Sequence, residues 1–353
     1  MKKLFLLCCL SINVTIYAQS PYIDRVYDYC PAPGQFINTM PKYEDGDTYA
    51  SMVQKAHEAL ADNKRSMICL GGFGGSVTFG FDHDIVNVEG EYDFKIFGNA
   101  FTSVYPDGRV GGSAEPAIVL VAADDNANGL PDDQWYEIAG SEYHNPLTKH
   151  NYQITYYRTP ANHVATPSVT TKVVTDTTYI RWTDSEHIEG YITQNSYHQQ
   201  DYYPQWIESD SISIEGTRLP NNAEWIDGQY VLFCYDYGYA DNQGNNSEQS
   251  SIDIDWAVDS LGNPANLKNI RFVKVYTGVN QQCGWIGETS TEIMGAEDLH
   301  FVSSINSVIE NEEMIKCIYD LNGHQINSLQ LNNLSHGVYI VRYNNNSIRK
   351  IIK

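Results

Sequence analysis

At 353 residues the chain is about two to three times as long as a typical single domain, which predicts one large domain with an appendage, or two domains. Asp and Glu outnumber Lys and Arg 44 to 22, a formal net charge of -22, so a phosphate backbone would meet mainly repulsion and a nucleic-acid partner is not expected. Beyond the N-terminus no run approaches eighteen apolar residues, and no mature transmembrane helix is predicted.

The chain opens with a basic tip at Lys2 and Lys3, an apolar run from Leu4 to Ile16 and the small Ala18. This is the layout of a secretory signal peptide over 1–18, cleaved after Ala18. Cys8 and Cys9 raise lipidation as the alternative, although both lie inside the apolar run. Four further cysteines fall in the middle of the chain, Cys30, Cys69, Cys234 and Cys283, and Cys317 in the tail. None has a C-x-x-C spacing, and the four central ones allow three disulfide pairings between which sequence does not choose.

Between 19 and 303 the pattern is almost entirely of strands. YASMVQKAHEALAD (49–62) alone has the 3.6-residue apolar spacing of an amphipathic helix. Strand-like runs follow at 76–81, 92–98, 117–123, 135–140, 151–158, 177–182, 211–216, 230–235, 252–258 and 270–277, separated by Gly, Asn, Asp and Pro turns. The expected fold class is all-β, a large sandwich of two antiparallel sheets, each packing one face and leaving the other to solvent. The glycines of ICLGGFGGSV (68–77) lack the Lys of a phosphate loop and lie between strands, so close packing or a tight turn is the expected role. The polar, aromatic-rich segment 183–209 has no clean periodicity and is predicted to be a long loop, either ligand-facing or packed on the sandwich.

The sharpest chemical motif lies at 124–133. Asp124, Asn126, Asn128, Gly129 and Asp132 occupy positions 1, 3, 5, 6 and 9 of a D-x-[DN]-x-[DN]-G loop, in which alternating oxygen side chains converge on Ca²⁺ and Gly permits the sharp turn. Trp135 stands where an EF-hand has its bidentate Glu, and strands flank the loop, so a calcium-binding β-hairpin loop is expected. The Leu130 carbonyl and Asp133 or Glu137 are the candidates to complete the shell; the plain reading is an acidic Asn-Gly turn. Other carboxylates are scattered: Glu115, Asp253, Asp255, Glu292, Glu297 and Asp298, with Asp236 and Asp241 as further oxygen donors for a second calcium site or a turn. Asp253 and Asp255, two apart in a predicted strand, should face one side. No metal-ligand His motif, nucleophile elbow or triad signature occurs, so the expectation is a protein that is not an enzyme. Aromatic platforms suit flat ligands, and the candidates are Tyr202, Tyr203 and Trp206 in DYYPQW and Tyr235, Tyr237 and Tyr239 in CYDYGY, the second set on one face of an extended chain.

After 304 short alternating strands and Asn-rich turns predict a small β-sandwich. With the leader and 305–353 set aside, 15 basic and 40 acidic residues remain, so the acidity belongs to the central domain. IYDLNG, LSHGVYIVRY and the terminal RKIIK, in that order, resemble the C-terminal sorting domain of type IX secretion substrates in Bacteroidota. The resemblance implies a domain over 304–353 read by the type IX machinery, and release from or attachment to the cell surface. The blocks at 68–101, 113–143 and 253–301 resemble a family of Bacteroidota cell-surface proteins. That resemblance implies a jelly-roll or galactose-binding-like sandwich of the carbohydrate-binding type. It also implies proximity to outer-membrane uptake systems, including corrinoid ones, with an outer-membrane transporter as partner. The resulting expectation is an exported, calcium-stabilised binding protein for a small-molecule ligand, a corrinoid (cobalamin), or a glycan. The alternatives are an extracellular glycan-degrading enzyme using two of the carboxylates above, or a structural or adhesive surface protein.

Overall fold

Strand β7 (Ala117–Ala122) shows how the chain is layered. Its sequence, AIVLVA, has no polar position, and its side chains divide between two cores: Ala117, Val119 and Val121 on one side, Ile118 and Leu120 on the other. A strand apolar on both faces must be covered on both. β7 lies within a six-stranded antiparallel sheet with β1 (Arg25–Cys30), β3 (Ser76–Val86), β17 (Asn269–Thr277), β8 (Tyr136–Ile138) and β16 (Ala257–Val258), in the order β1-β3-β17-β7-β8-β16.

The computed structural model describes residues 19–301 and, in the tail, 315–321, 323–326, 331, 334–335, 337–343 and 348–352. The signal peptide expected over 1–18 lies outside the described residues. Two compact units result, Ser20–Phe301 and one that includes the tail from Val302. The chain is all-β, with one α-helix against 23 strands among the described residues.

On one face of the six-stranded sheet lies a second sheet, β11 (Glu189–Asn195), β10 (Val174–Asp184), β9 (Lys149–Tyr157) and β12 (Ser211–Arg218), in that order. Tyr152, Ile154 and Tyr156 of β9, Ile180 and Ile192 pack there against Phe73, Ile118 and Tyr276. This pair is the sandwich the sequence predicts. The opposite face, which a two-sheet sandwich would leave to water, is covered instead. Its cover is helix α1 (Tyr49–Leu60) and a sheet of β15 (Ser251–Ile252), β4 (Phe94–Phe97) and β19 (Gly295–Asp298). In α1 the residues Met52, Ala56 and Leu60 recur every four positions and are all buried. Thr48 caps it, its hydroxyl accepting from Ser51 N while the Ser51 side chain reciprocates. β2 (Ile68–Cys69) pairs with β18 (Glu292–Ile293), and β13 (Ala223–Ile226), β14 (Gln229–Phe233), β6 (Val110–Gly112) and β5 (Thr102–Val104) form a further sheet.

Three expectations need correction. The predicted loop 183–209 begins inside β10 and then forms β11, which pairs with β10 as a hairpin (Trp182 opposite Gly190), leaving the 185–188 turn and 196–209 irregular. The predicted strand 252–258 is broken by a 3-10 turn at Ile254–Trp256, because the Asp253 carboxylate accepts from Asp255 N at 2.8 Å and caps the turn. Asp253 is therefore buried and Asp255 exposed, and the two do not share a strand face. The five cysteines of the described residues are free thiols.

The glycine block performs close packing. A Cβ on Gly75 would lie 1.8 Å from the Leu70 carbonyl and 2.4 Å from Ala32 N, so the segment before β3 runs backbone against backbone with the one after β1. In the tail, β20 (Ile315–Asp320), β21 (Gln325–Ile326), β22 (Val338–Tyr343) and β23 (Ile348–Ile352) form an antiparallel sheet with its own core of Ile318, Leu334, Tyr339, Val341 and Tyr343.

Candidate functional site

The hairpin β7–β8 carries parts of three places where polar chemistry gathers. At its tip is the loop 124–133. Asp124 Oδ1 accepts from Asn128 N at 3.0 Å and its Oδ2 from Gly129 N at 3.1 Å; the Asn126 and Asn128 side-chain oxygens accept from Asn128 N (3.0 Å) and Leu130 N (2.7 Å). Both amide groups donate to Asp132, whose carboxyl they hold below the usual range. Gly129 has φ +72°, which the turn requires and an L side chain resists. Asp124 also meets Arg271 at 3.4 Å. The donor set suits a hard cation: the oxygens of Asp124, Asn126, Asn128 and Asp132 share one turn, and Asp133 keeps a buried carboxylate oxygen without a protein partner. The Leu130 carbonyl accepts from Asp132 N at 2.9 Å. Glu137 lies elsewhere, in β8, where its carboxylate accepts from Thr217 Oγ1 at 2.7 Å, so it is corrected out of the loop's shell.

At the other end of β7, three carboxylates converge. Glu115 precedes the strand, Asp241 follows Ala240, which bridges to Ala117, and Glu292 opens β18; one oxygen of each lies within 4.8 Å of the others. Asp241 is buried, its Oδ1 accepting from Asn99 N (2.7 Å) and Ala100 N (2.9 Å) and its Oδ2 from Glu292 N (2.9 Å). Gly98 makes room, since a Cβ there would sit 2.2 Å from Asp241 Oδ1. Glu115 accepts from Ser290 N at 3.3 Å, and Cys69 pairs with Glu292 across the β2–β18 bridge. Among the described residues no Lys, Arg or His forms an ion pair with any of the three. Burial raises all three carboxyls, and mutual repulsion adds to it for Glu115 and Glu292. Such a cluster persists by retaining protons or by holding a cation.

The third place is a cleft of about 730 Å³ between the two sandwich sheets. Leu120, Ile212, Ile214 and Tyr276 form its apolar wall, and Trp135 and Tyr143 stand beside Glu137, His150 and Lys274. Glu137, Thr217 and His150 form a chain, with His150 Nδ1 3.3 Å from Thr217 Oγ1 and its ring 4.6 Å from that of Tyr143. Burial pushes the Glu137 carboxyl up to about 7, against the pull of the Thr217 hydrogen bond. Lys274 makes no ion pair among the described residues. An apolar wall with a few convergent polar groups is the usual build of a small-molecule site.

No protein-family model matches the chain, and no curated protein matches it.

The aromatic platforms expected from sequence are mostly core. Tyr202, Tyr203 and Tyr239 are at most 1% exposed and Trp206 8%, so none offers a ring face to a ligand. Tyr202 OH donates to the His198 carbonyl, Tyr203 OH to that of Ser209, and Trp206 stacks on Tyr29 with 6.0 Å between centroids. Tyr235 and Tyr239 touch, but Gly238 at φ +89° breaks the extended chain, and Tyr237 packs against Trp256, so the three rings do not share a face. Tyr237, 38% exposed, is the most open ring of the six, and Tyr235 is partly exposed. Of the scattered carboxylates, Glu297 meets Arg65 at 3.5 Å and Asp298 meets His83 at 2.8 Å. Solvent-facing rings occur where no motif marks them: Trp225 beside Tyr230, and Trp285 beside Tyr197.

Proposed function

We propose that Ser20–Phe301 is a calcium-stabilised binding domain of an exported protein and that its cleft holds a glycan segment, with the tail addressing the chain to type IX secretion and the cell surface. The cleft carries this reading: its lining includes Trp135 and Tyr143, aromatic side chains of the kind a sugar's apolar side packs on, together with the polar groups of Glu137, His150 and Lys274. A corrinoid delivered to an outer-membrane transporter is the competing ligand. Direct binding measurements on the full chain, across a glycan panel and with cobalamin, separate the two. Trp135→Ala and Glu137→Ala should each weaken glycan binding by at least about tenfold, the loss expected for one ring contact or one hydrogen bond to a charged group. Saturable cobalamin binding without any glycan binding would reject the glycan reading.

Glu137 also favours a second reading, a glycan-degrading enzyme, because a carboxyl pushed up to about 7 in a cleft is suited to general acid work. Turnover of any panel glycan by wild type, lost in Glu137→Gln, selects it. The calcium loop is tested by isothermal titration of wild type and of Asp124→Ala with Asn128→Ala. Equal heats in both proteins would remove the ion from this loop.

A further inference from the structure

A cavity of about 60 Å³ lies beside the 282–288 turn, lined by Tyr156, Trp182, Tyr191, Asn280, Gln282 and Glu288 among others. Gln282 and Glu288 face each other across an antiparallel bridge. The flanking bonds, Cys283 N to Gly287 O at 2.7 Å and Thr289 N to Gln281 O at 3.1 Å, make them a non-hydrogen-bonded pair, whose side chains leave the same side at closest approach. Each brings one satisfied and one unsatisfied end. Glu288 is 5% exposed; its Oε1 accepts from Gln35 N at 2.6 Å, and its Oε2 is buried with no partner. The Gln282 amide donates to Thr193 Oγ1 (3.0 Å) and to the Gly284 carbonyl (3.1 Å), leaving a buried Oε1 with no partner. Tyr156 OH is committed to the Phe73 carbonyl at 3.2 Å. No Lys, Arg or His lines the cavity. Both unpartnered oxygens therefore belong to residues lining a space with no positively charged side chain. The cavity has room for an ion with a water or two, given about 30 Å³ per water in the liquid. Gly34 keeps the carboxylate seated, since a Cβ there would lie 2.7 Å from Glu288 Oε1.

We propose that this cavity binds one hard monatomic cation, alkali or alkaline-earth, through the free oxygens of Glu288 and Gln282. Such ions take oxygen ligands, and a carboxylate with an amide carbonyl is a common partial shell for them.

The test is thermal unfolding of the full chain, with the loop 124–133 silenced by Asp124→Ala and Asn128→Ala, at pH 8 and constant ionic strength. Choline chloride is compared with sodium, potassium and calcium chloride. At least one metal should raise the midpoint saturably by several degrees over choline, and Glu288→Gln should abolish that rise. Equal midpoints in all four salts would mean that the cavity holds water alone and would overturn the proposal, as would an unchanged rise in Glu288→Gln. Should Glu288→Gln fail to fold, Gln282→Glu replaces it. A second carboxylate should lower the calcium concentration at half-effect by at least tenfold, and no shift overturns the proposal.

Discussion

Replacing Glu292 by Gln tests whether the Glu115–Asp241–Glu292 cluster holds together by retaining protons. Buried and surrounded by Asp241, Glu115 and Cys69, Glu292 has its carboxyl raised, with burial first among the causes and Asp241 second. In the unfolded chain an ordinary Glu ionises near pH 4.3. Between pH 5.5 and 7.5 the folded protein therefore holds a proton at this position that the unfolded chain has released. Stability conferred by a raised carboxyl is fully present below the unfolded pKa and is lost as pH rises through the folded one. Each such proton tilts stability downward by about 1.4 kcal/mol per pH unit. Gln keeps the shape and removes the proton, so the variant's curve should be shallower than wild type by about that amount, reaching about 2.5 kcal/mol in its favour over the two-unit window. The assay is guanidinium unfolding at pH 5.5, 6.5 and 7.5 in EDTA, followed by tryptophan fluorescence. All six Trp residues lie within 135–285, so the signal reports on this unit alone. Parallel curves for the two proteins, or a wild type that gains stability with pH, would refute the reasoning.

Gly75→Ala should cost at least about 3 kcal/mol in the same unfolding assay, because the methyl would strike backbone atoms of Leu70 and Ala32 that cannot rotate away. Thr48→Ala should cost about 1 kcal/mol by removing the cap of α1. His83 stands between Asp298 (2.8 Å) and Asp82 (2.7 Å); burial alone would lower its imidazole, but the two carboxylates outweigh it and raise the titration above the ordinary value. Its stabilisation is complete below pH 6.5 and fades as pH rises through the folded midpoint, which an NMR titration should place above 6.5; a midpoint at or below 6.5 contradicts this.

What the sequence made legible was local. Helix α1 followed from Met52, Ala56 and Leu60 at spacing four, and the 124–133 loop from five residues in one turn. β11 was hidden because EGYITQN turns only Ile192 and Asn195 inward, too few positions to register as alternation. The 3-10 turn at 254–256 was hidden because a capping carboxylate looks, in sequence, like a strand's polar position. The carboxylate cluster was hidden differently. Glu115, Asp241 and Glu292 each stood out singly, but 126 and 51 residues separate them, and only the pairing of β18 with β2 and of Ala240 with Ala117 brings them together. The tyrosines misled because a ring with a polar tip suits a core that offers it one carbonyl as well as it suits a ligand surface.

The layering also sets how freely each strand can drift over evolutionary time. Along β12 the exposure alternates, and Ser211, Ser213 and Glu215 can exchange with other polar residues without entering any core. Along β7 no exposed position exists: Ala117, Val119 and Val121 pack in one core, Ile118 and Leu120 in the other, and Ala122 is buried. A saturation library should therefore find permissive alternate sites in β12 and none in β7, and the strand that carries the 124–133 loop at one end and Glu115 at the other is the one least able to change between them.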